Sequence, residues 1–153
     1  MIQNVKKILA PIDFSPHSME AMRAAMELAK DVGAEVHLVH VIAPHHTFIP
    51  LPLESNAEQS RELAREASMI QQAEEELARL KKDEFGDSNK VFTFAVIGHP
   101  VQKLVDYSKE QGIDLIVMAT HGRSGIEHIL LGGTTEKIVR GAPCSVLVIR
   151  RKP

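Results

Sequence analysis

Short runs of apolar residues alternate along this chain with segments of helical periodicity, and this alternation restricts its fold more than any other feature. Continuous apolar strands are buried on both faces of a sheet, and strands that alternate with helices pair in parallel. The chain is therefore predicted to be α/β, an open doubly wound five-stranded parallel sheet with two helices on each face. The predicted strands cover residues 7–12, 36–42, 91–97, 114–119 and 145–149.

Cap and turn residues place the helices between these strands. Ser15 followed by Pro16 is the signature of a helix start, and Gly33 is suited to end that helix. A long amphipathic pattern then follows a proline-containing loop. The three later helices are predicted over residues 55–84, 100–112 and 133–140.

Length, charge and cysteine content favour one soluble domain. The chain has 153 residues, 18 basic and 20 acidic side chains and a net charge of -2, so no strong field favours nucleic acid or an anionic membrane. No apolar run approaches the roughly 18 residues that span a bilayer, and the single cysteine, Cys144, fits a reducing compartment. We expect one domain over residues 1–153, located in the cytoplasm, with neither nucleic acid nor membrane as a partner.

The order of the strands indicates where a ligand would bind. Right-handed crossovers about a central first strand give the order 3-2-1-4-5, and ligands bind in such sheets beyond the carboxyl ends of the strands where the order reverses. Asp13 closes the first strand, and the glycine-bearing loop from Ala119 to Gly125 follows the fourth. We therefore expect these two loops to converge on one cleft.

Glycines around this cleft favour an anionic ligand. A strand that ends in a glycine-bearing loop, with Gly132 and Gly133 before the next helix, brings several backbone N–H groups to one point. The dipole of that helix adds to their attraction for phosphate. A simple turn of the chain is the alternative explanation of the same glycines.

Four separated motifs stand out along the chain: ILAPIDFS at 8–15, HV at 40–41, ATHGRSG at 119–125 with LLGGTTEK at 130–137, and APCSVLV at 142–148. Over essentially the whole chain, they resemble the universal stress protein family. The resemblance implies a small cytoplasmic α/β protein, commonly a homodimer, of which one branch binds ATP or AMP and another does not. Phosphorelay receivers and flavodoxins are also doubly wound five-stranded proteins, but this chain lacks the acidic cluster and the phosphate loop that they need.

One glycine motif separates the two branches, and this chain matches it in part. In nucleotide binders it reads glycine, two residues, glycine, nine residues, glycine, and then serine or threonine. At the first position this chain has Ala119 in place of glycine, and alanine is acceptable at a strand end unless the backbone needs a positive φ. At the last position Gly133 lacks the hydroxyl of serine or threonine, and the loss of one such hydrogen bond costs roughly 0.5–1.5 kcal/mol of binding free energy. Thr134 and Thr135 are candidates to replace this hydroxyl. The four motif positions are occupied by Ala119, Gly122, Gly132 and Gly133.

By the same resemblance, adenine and ribose lie against the strand ends and phosphate lies against the glycine motif, with ATP or AMP as the ligand and Mg²⁺ as a candidate companion. The Val41 backbone is suited to read the adenine edge. The Asp13 carboxylate is suited to ribose hydroxyls or a metal, with helix capping as its alternative role. The expected nucleotide-binding residues are Ala10, Pro11, Ile12, Asp13, Val41, Met118, Ala119, His121, Gly122, Arg123, Gly132, Gly133, Thr134 and Thr135.

Two functions are consistent with this sequence. The first is an adenine-nucleotide-binding module that acts as a dimeric sensor or regulator of the stress response. It would hydrolyse ATP slowly at most, because the chain has no Gly-x-x-x-x-Gly-Lys-Ser/Thr loop. The second is a nucleotide-free stress protein that acts only through dimerisation and protein contacts.

The last strand and the histidines complete the prediction. The apolar strand from Ser145 to Ile149 lies at a sheet edge, and pairing with its copy in a second chain would form a closed homodimer. His40, His45 and His46 lack the spacing of zinc ligands, so no metal site is predicted. No catalytic residue is predicted either, because no nucleophile or carboxylate pair stands at a recognisable spacing.

Overall fold

The computed structural model describes residues 4–44, 56–120 and 133–150, and five parallel strands form one sheet within these ranges. The order of the strands is β3-β2-β1-β4-β5. This result confirms the predicted fold class and strand order. The strands are β1 (Lys7–Pro11), β2 (Glu35–Ile42), β3 (Val91–Ile97), β4 (Leu115–Ala119) and β5 (Ser145–Ile149).

Four helices in the same described ranges cover the two faces of the sheet. Two of them, α1 and α2, pack on one face, and α3 and α4 pack on the other. The α2 helix has 30 residues but is rich in charge, and no helix of the described ranges is long and apolar enough to cross a membrane. The helices are α1 (Pro16–Val32), α2 (Asn56–Phe85), α3 (Pro100–Gln111) and α4 (Gly133–Gly141).

The α1 helix shows how short-range chemistry fixes the bounds of an element. The Ser15 hydroxyl accepts a hydrogen bond from the Ser18 N–H at 3.2 Å, and Pro16 occupies the start of the helix. At the other end Gly33 adopts φ 74° and donates its N–H to the carbonyl of Ala29. A left-handed residue is inexpensive only for glycine, so the helix ends where its sequence predicted.

The core consists of two apolar layers, one on each side of the sheet. Successive residues of β1 alternate between them, so that Ile8 faces α1 and α2 whereas Leu9 faces α3 and α4. Both side chains are fully buried, and burial of one such side chain contributes about 1.5–3 kcal/mol. Leu77 anchors α2 on the first layer, and Ile138 anchors α4 on the second.

A buried histidine lies on the α3 side of β2. The His37 side chain is 5% exposed, its Nδ1 lies 2.8 Å from the Tyr107 hydroxyl, and its Nε2 lies 3.3 Å from a carboxylate oxygen of Glu35. Because a carboxylate accepts, Nε2 carries the hydrogen, and Nδ1 then accepts from the hydroxyl of Tyr107. Burial lowers the pKa of His37, and Glu35 opposes this effect only in part.

We predict that the free energy of unfolding falls as the pH drops below the ordinary histidine pKa of 6.5. The unfolded chain takes up a proton near that pH, whereas folded His37 does so only at lower pH. The stabilisation from a neutral ring is therefore complete above pH 6.5 and is lost as the pH falls through the folded pKa. Urea unfolding at about pH 7.5 and about pH 5.5 measures this loss.

The control for this measurement is the His37→Gln variant, which cannot titrate at this position. Other groups that ionise between the two pH values affect both proteins, so their effect cancels in the comparison. We expect the variant to lose less stability than the wild-type protein between the two pH values. Equal losses would contradict the role assigned to His37.

Candidate functional site

A cavity of about 180 Å³ opens beyond the carboxyl ends of β1 and β4, where the strand order reverses. Doubly wound sheets bind ligands at this place. Ile12 and Asp13, which follow β1, line it together with Ala119, the last residue of β4, whereas residues 121–125 of the predicted loop lie outside the described residues. The residues that line the cavity are Pro11, Ile12, Asp13, Ser18, Val39, Val41, Pro100, Leu104, Met118, Ala119, Thr134 and Thr135.

The structure brings together eight of the residues that the sequence placed in a nucleotide site, namely Pro11, Ile12, Asp13, Val41, Met118, Ala119, Thr134 and Thr135. Ala10 instead points into the core beneath α1 and is fully buried. Gly133 is the first residue of α4, directly before the lining residue Thr134. The predicted residues His121, Gly122, Arg123 and Gly132 lie outside the described residues.

The end of β1 leaves backbone groups of β2 facing the cavity. The ladder between the two strands ends at the pair of Pro11 and Val39, after which the Ile12 N–H donates to the Val39 carbonyl at 2.8 Å. Along a parallel strand, the backbone N–H and carbonyl groups of every second residue point to the same neighbouring strand. The N–H and carbonyl of Val41 therefore point towards the space beyond β1, which is the geometry needed to read the edge of a base.

A hydrogen-bonded turn between β1 and α1 forms another wall. A carboxylate oxygen of Asp13 accepts from the Ser15 N–H at 2.9 Å, and the Asp13 N–H donates to the Ser18 hydroxyl at 3.3 Å. The Ser18 hydroxyl in turn donates to the Ser15 carbonyl at 3.1 Å. The Asp13 carboxylate thus holds the turn before α1 and lines the cavity as well, whereas the helix cap, its alternative role, is supplied by Ser15.

The two threonines at the start of α4 have different roles. The Thr135 side chain is buried, and its hydroxyl donates to the Ala119 carbonyl at 2.9 Å, which ties α4 to the end of β4. A hydroxyl has one hydrogen, so Thr135 offers a ligand only lone pairs. Thr134 is exposed and lines the cavity. Of the two candidates to replace the missing motif hydroxyl, Thr134 is therefore the better placed.

The cavity combines apolar walls with the positive end of a helix. Among the described residues that line it, Asp13 alone carries a charge, while Val39, Leu104 and Met118 supply apolar surface. The first N–H groups of α4 have no acceptor within the helix, and the helix dipole adds positive potential there. This arrangement suits a ligand with a flat uncharged part and an anionic part.

Sequence reasoning did not place four of the lining residues in the site: Ser18, Val39, Pro100 and Leu104. Val39 could have been found, because it lies two residues before Val41 on one strand and therefore on the same face. Pro100 and Leu104 lie one helical turn apart at the start of α3. Their part in the site depends on how α3 packs across the sheet, which no local pattern specifies.

The described residues contain no group of three or more His, Cys, Asp or Glu side chains suited to a metal ion. His45 and His46 lie outside those residues, and His40 directs its Nδ1 to the Ile12 carbonyl at 2.6 Å. Cys144 is half-buried, and burial raises the pKa of its thiol. A thiol with a raised pKa is a poor nucleophile at neutral pH.

Fold and cavity together define a doubly wound α/β protein with a cavity at the switch point of its sheet, and comparison with known proteins identifies its family. The model of the universal stress protein family matches residues 4–150. The chain belongs to the universal stress protein family. Universal stress protein MJ0531 of Methanocaldococcus jannaschii is 36% identical over 148 residues, which cover 95% of this chain and 82% of that protein.

Solved structures show the same fold. The structure of the hypothetical protein MJ0577, from the same organism, is 30% identical with a TM-score of 0.79, over 97% of this chain and 98% of that one. A universal stress protein solved in complex with cAMP is 20% identical with a TM-score of 0.58, over 94% of this chain and 96% of that one. The second likeness establishes the fold alone.

We predict that Thr135→Val lowers the free energy of unfolding by about 1–3 kcal/mol, because the substitution leaves the Ala119 carbonyl without its side-chain donor. Thr134→Val is the matched control, since it makes the same change one residue away on an exposed side chain. The control should stay within about 0.5 kcal/mol of the wild-type protein. Urea unfolding measures both variants, and equal effects would contradict the role assigned to Thr135.

Proposed function

We propose that this protein is an adenine-nucleotide-binding module, with ATP or AMP as its ligand, that acts in the cytoplasm as a dimeric sensor or regulator of the stress response. The observation that carries the proposal is the cavity at the switch point. Apolar walls, the backbone groups of Val41 beyond the end of β1, and the N-terminus of α4 lie together there. Membership of the universal stress protein family supports the same conclusion.

The base fits the strand side of the cavity. An apolar cavity of about 150 Å³ accommodates a benzene ring, and this one, at about 180 Å³ and open to solvent, has room for a purine. Val39, Met118 and Leu104 provide apolar contact, and the N–H and carbonyl of Val41 can pair with the base edge. The Asp13 carboxylate lies where it can accept from ribose hydroxyls or help to hold Mg²⁺.

The phosphates fit the α4 side. Backbone N–H groups at the start of the helix, the dipole and the Thr134 hydroxyl all favour an anion there. Asp13 is the sole charged residue among the described lining residues, so these residues offer no second charged group to position a water molecule beside a metal that Asp13 would hold, as a fast ATPase needs. We therefore propose ligand-dependent signalling, with hydrolysis slow at most.

The missing motif hydroxyl suggests a gain-of-affinity test. Among the described residues, a Cβ added at Gly133 would meet no heavy atom within 4 Å, and the residue does not have a positive φ. Gly133→Ser should therefore fold normally and supply one more hydrogen bond to phosphate. We predict that its affinity for ATP rises up to about tenfold, measured by isothermal titration calorimetry with Mg²⁺.

The matched control is Gly141→Ser, which makes the same substitution at the other end of α4. Gly141 also has open space around its added Cβ and lacks a positive φ. We expect its affinity to equal that of the wild-type protein. If neither wild-type protein nor Gly133→Ser binds ATP or AMP at millimolar concentration, the proposal is wrong and the nucleotide-free alternative stands.

A spectrum of the purified protein separates the same two alternatives before any titration. The chain has no tryptophan and one tyrosine, so its own near-ultraviolet absorbance is weak. Adenine that co-purifies with the protein would dominate this spectrum. Denaturation followed by filtration should release the absorbing nucleotide, which chromatography then identifies.

We also propose that the homodimer forms through β5. This strand lies at the sheet edge, and its Leu147 side chain is 41% exposed. An exposed apolar edge strand tends to pair with another chain, and two-fold symmetry would close the contact between two copies. The sheets of the two chains would then be continuous.

We predict that Leu147→Lys shifts the protein towards monomer, because a two-fold contact would bring the two introduced charges close to each other. Light scattering coupled to size-exclusion chromatography measures the mass in solution. Leu63→Lys is the control, since Leu63 is 67% exposed on α2, which packs near the opposite edge of the sheet. Dimers of equal stability in both variants would contradict the β5 contact.

A further inference from the structure

A histidine and a phenylalanine support the cavity wall from behind. The Nδ1 atom of His40 lies 2.6 Å from the Ile12 carbonyl oxygen. The Phe14 ring meets the His40 ring edge to face, with centroids 5.0 Å apart and planes at 62°. A carbonyl can only accept, so Nδ1 carries the hydrogen of this bond. His40 is not among the residues that line the cavity.

The segment that His40 contacts has left the sheet. The Ile12 N–H makes the last bond to β2, at the Val39 carbonyl, and the next residues enter the turn before α1. The position of the Ile12 carbonyl sets the direction in which the chain enters that turn. The hydrogen bond from His40 therefore fixes the orientation of the peptide that joins Ile12 to Asp13, and both of these residues line the cavity.

The backbone at Phe14 needs this support. Phe14 has φ 62°, in the left-handed region that a bulky residue rarely adopts. Such a conformation persists when the surrounding contacts specify it, and it is often found at ligand sites. The Phe14 ring packs against the His40 ring and the core beneath α1. His40 thus contacts the wall at two points, one on each side of Asp13.

We propose that His40 is a positioning residue for the nucleotide site. Its Nδ1–H bond to Ile12 and its ring contact with Phe14 hold Ile12 and Asp13 where they meet the base and ribose. The inference rests on the proposed function, and it adds a residue that acts through the wall without touching the ligand. The wall that His40 supports faces the nucleoside part of the ligand. Loss of His40 should therefore lower the affinities for adenosine, AMP and ATP by the same factor.

Two substitutions of His40 test the hydrogen bond separately from the bulk of the ring. The amide nitrogen of asparagine reaches the position of Nδ1, whereas that of glutamine extends towards the position of Nε2. His40→Gln should lose about tenfold in affinity for adenosine, AMP and ATP alike. His40→Asn keeps the donor and should retain most of the affinity. Calorimetric titration of the three ligands into both variants gives these ratios.

Amide hydrogen exchange of the ligand-free protein provides a readout that does not depend on nucleotide. The N–H groups of Asp13 and Ser15 donate within the turn, so they should exchange faster in His40→Gln than in His40→Asn. Urea unfolding of each variant shows whether any change is confined to the turn. Faster exchange throughout the chain in His40→Gln would mean a general loss of stability and would overturn the positioning role.

The outcomes distinguish this inference from the proposed function. If the wild-type protein binds none of the three ligands, the proposed function fails, and the exchange rates still decide whether His40 orders the turn. If His40→Gln binds all three ligands as tightly as the wild-type protein, the positioning role is wrong. It is also wrong if the two variants have the same affinities and the same exchange rates at Asp13 and Ser15.

Discussion

The early end of β1 beside β2 is the constraint on which the site depends. β1 pairs with β2 up to Pro11 opposite Val39, and one further bond joins Ile12 to Val39, while β2 continues to Ile42. Because the two strands part here, backbone groups of β2 face open space, α1 can begin beside them, and the first turn of α4 completes the enclosure.

Much of the fold could be predicted from the sequence because its signals are local and agree with one another. Ser15, Pro16 and Gly33 each have a stereochemical reason to stand at a helix end, and the structure uses them there. Apolar runs on both faces of a strand imply helices on both sides. The chirality of the crossovers then leaves few strand orders to consider.

The candidate site was predicted less completely, because it depends on packing between distant elements. Ala10 shares a short motif with Pro11, but successive strand residues face opposite sides, so Ala10 enters the core. Pro100 and Leu104 reach the cavity only through the path of α3 across the sheet. The different roles of Thr134 and Thr135 follow from a hydrogen bond to Ala119, which sequence spacing does not show.

The open space around Gly133 has an evolutionary consequence. Two of the four glycine codons become serine codons by a single base change, and none of the described residues has an atom within 4 Å of the added Cβ. If the proposed function holds, a lineage could therefore move between weaker and stronger phosphate contact by one point mutation, without rearranging its core. The division of such a family into branches need not follow ancient descent, because the same step can arise repeatedly and be reversed as easily.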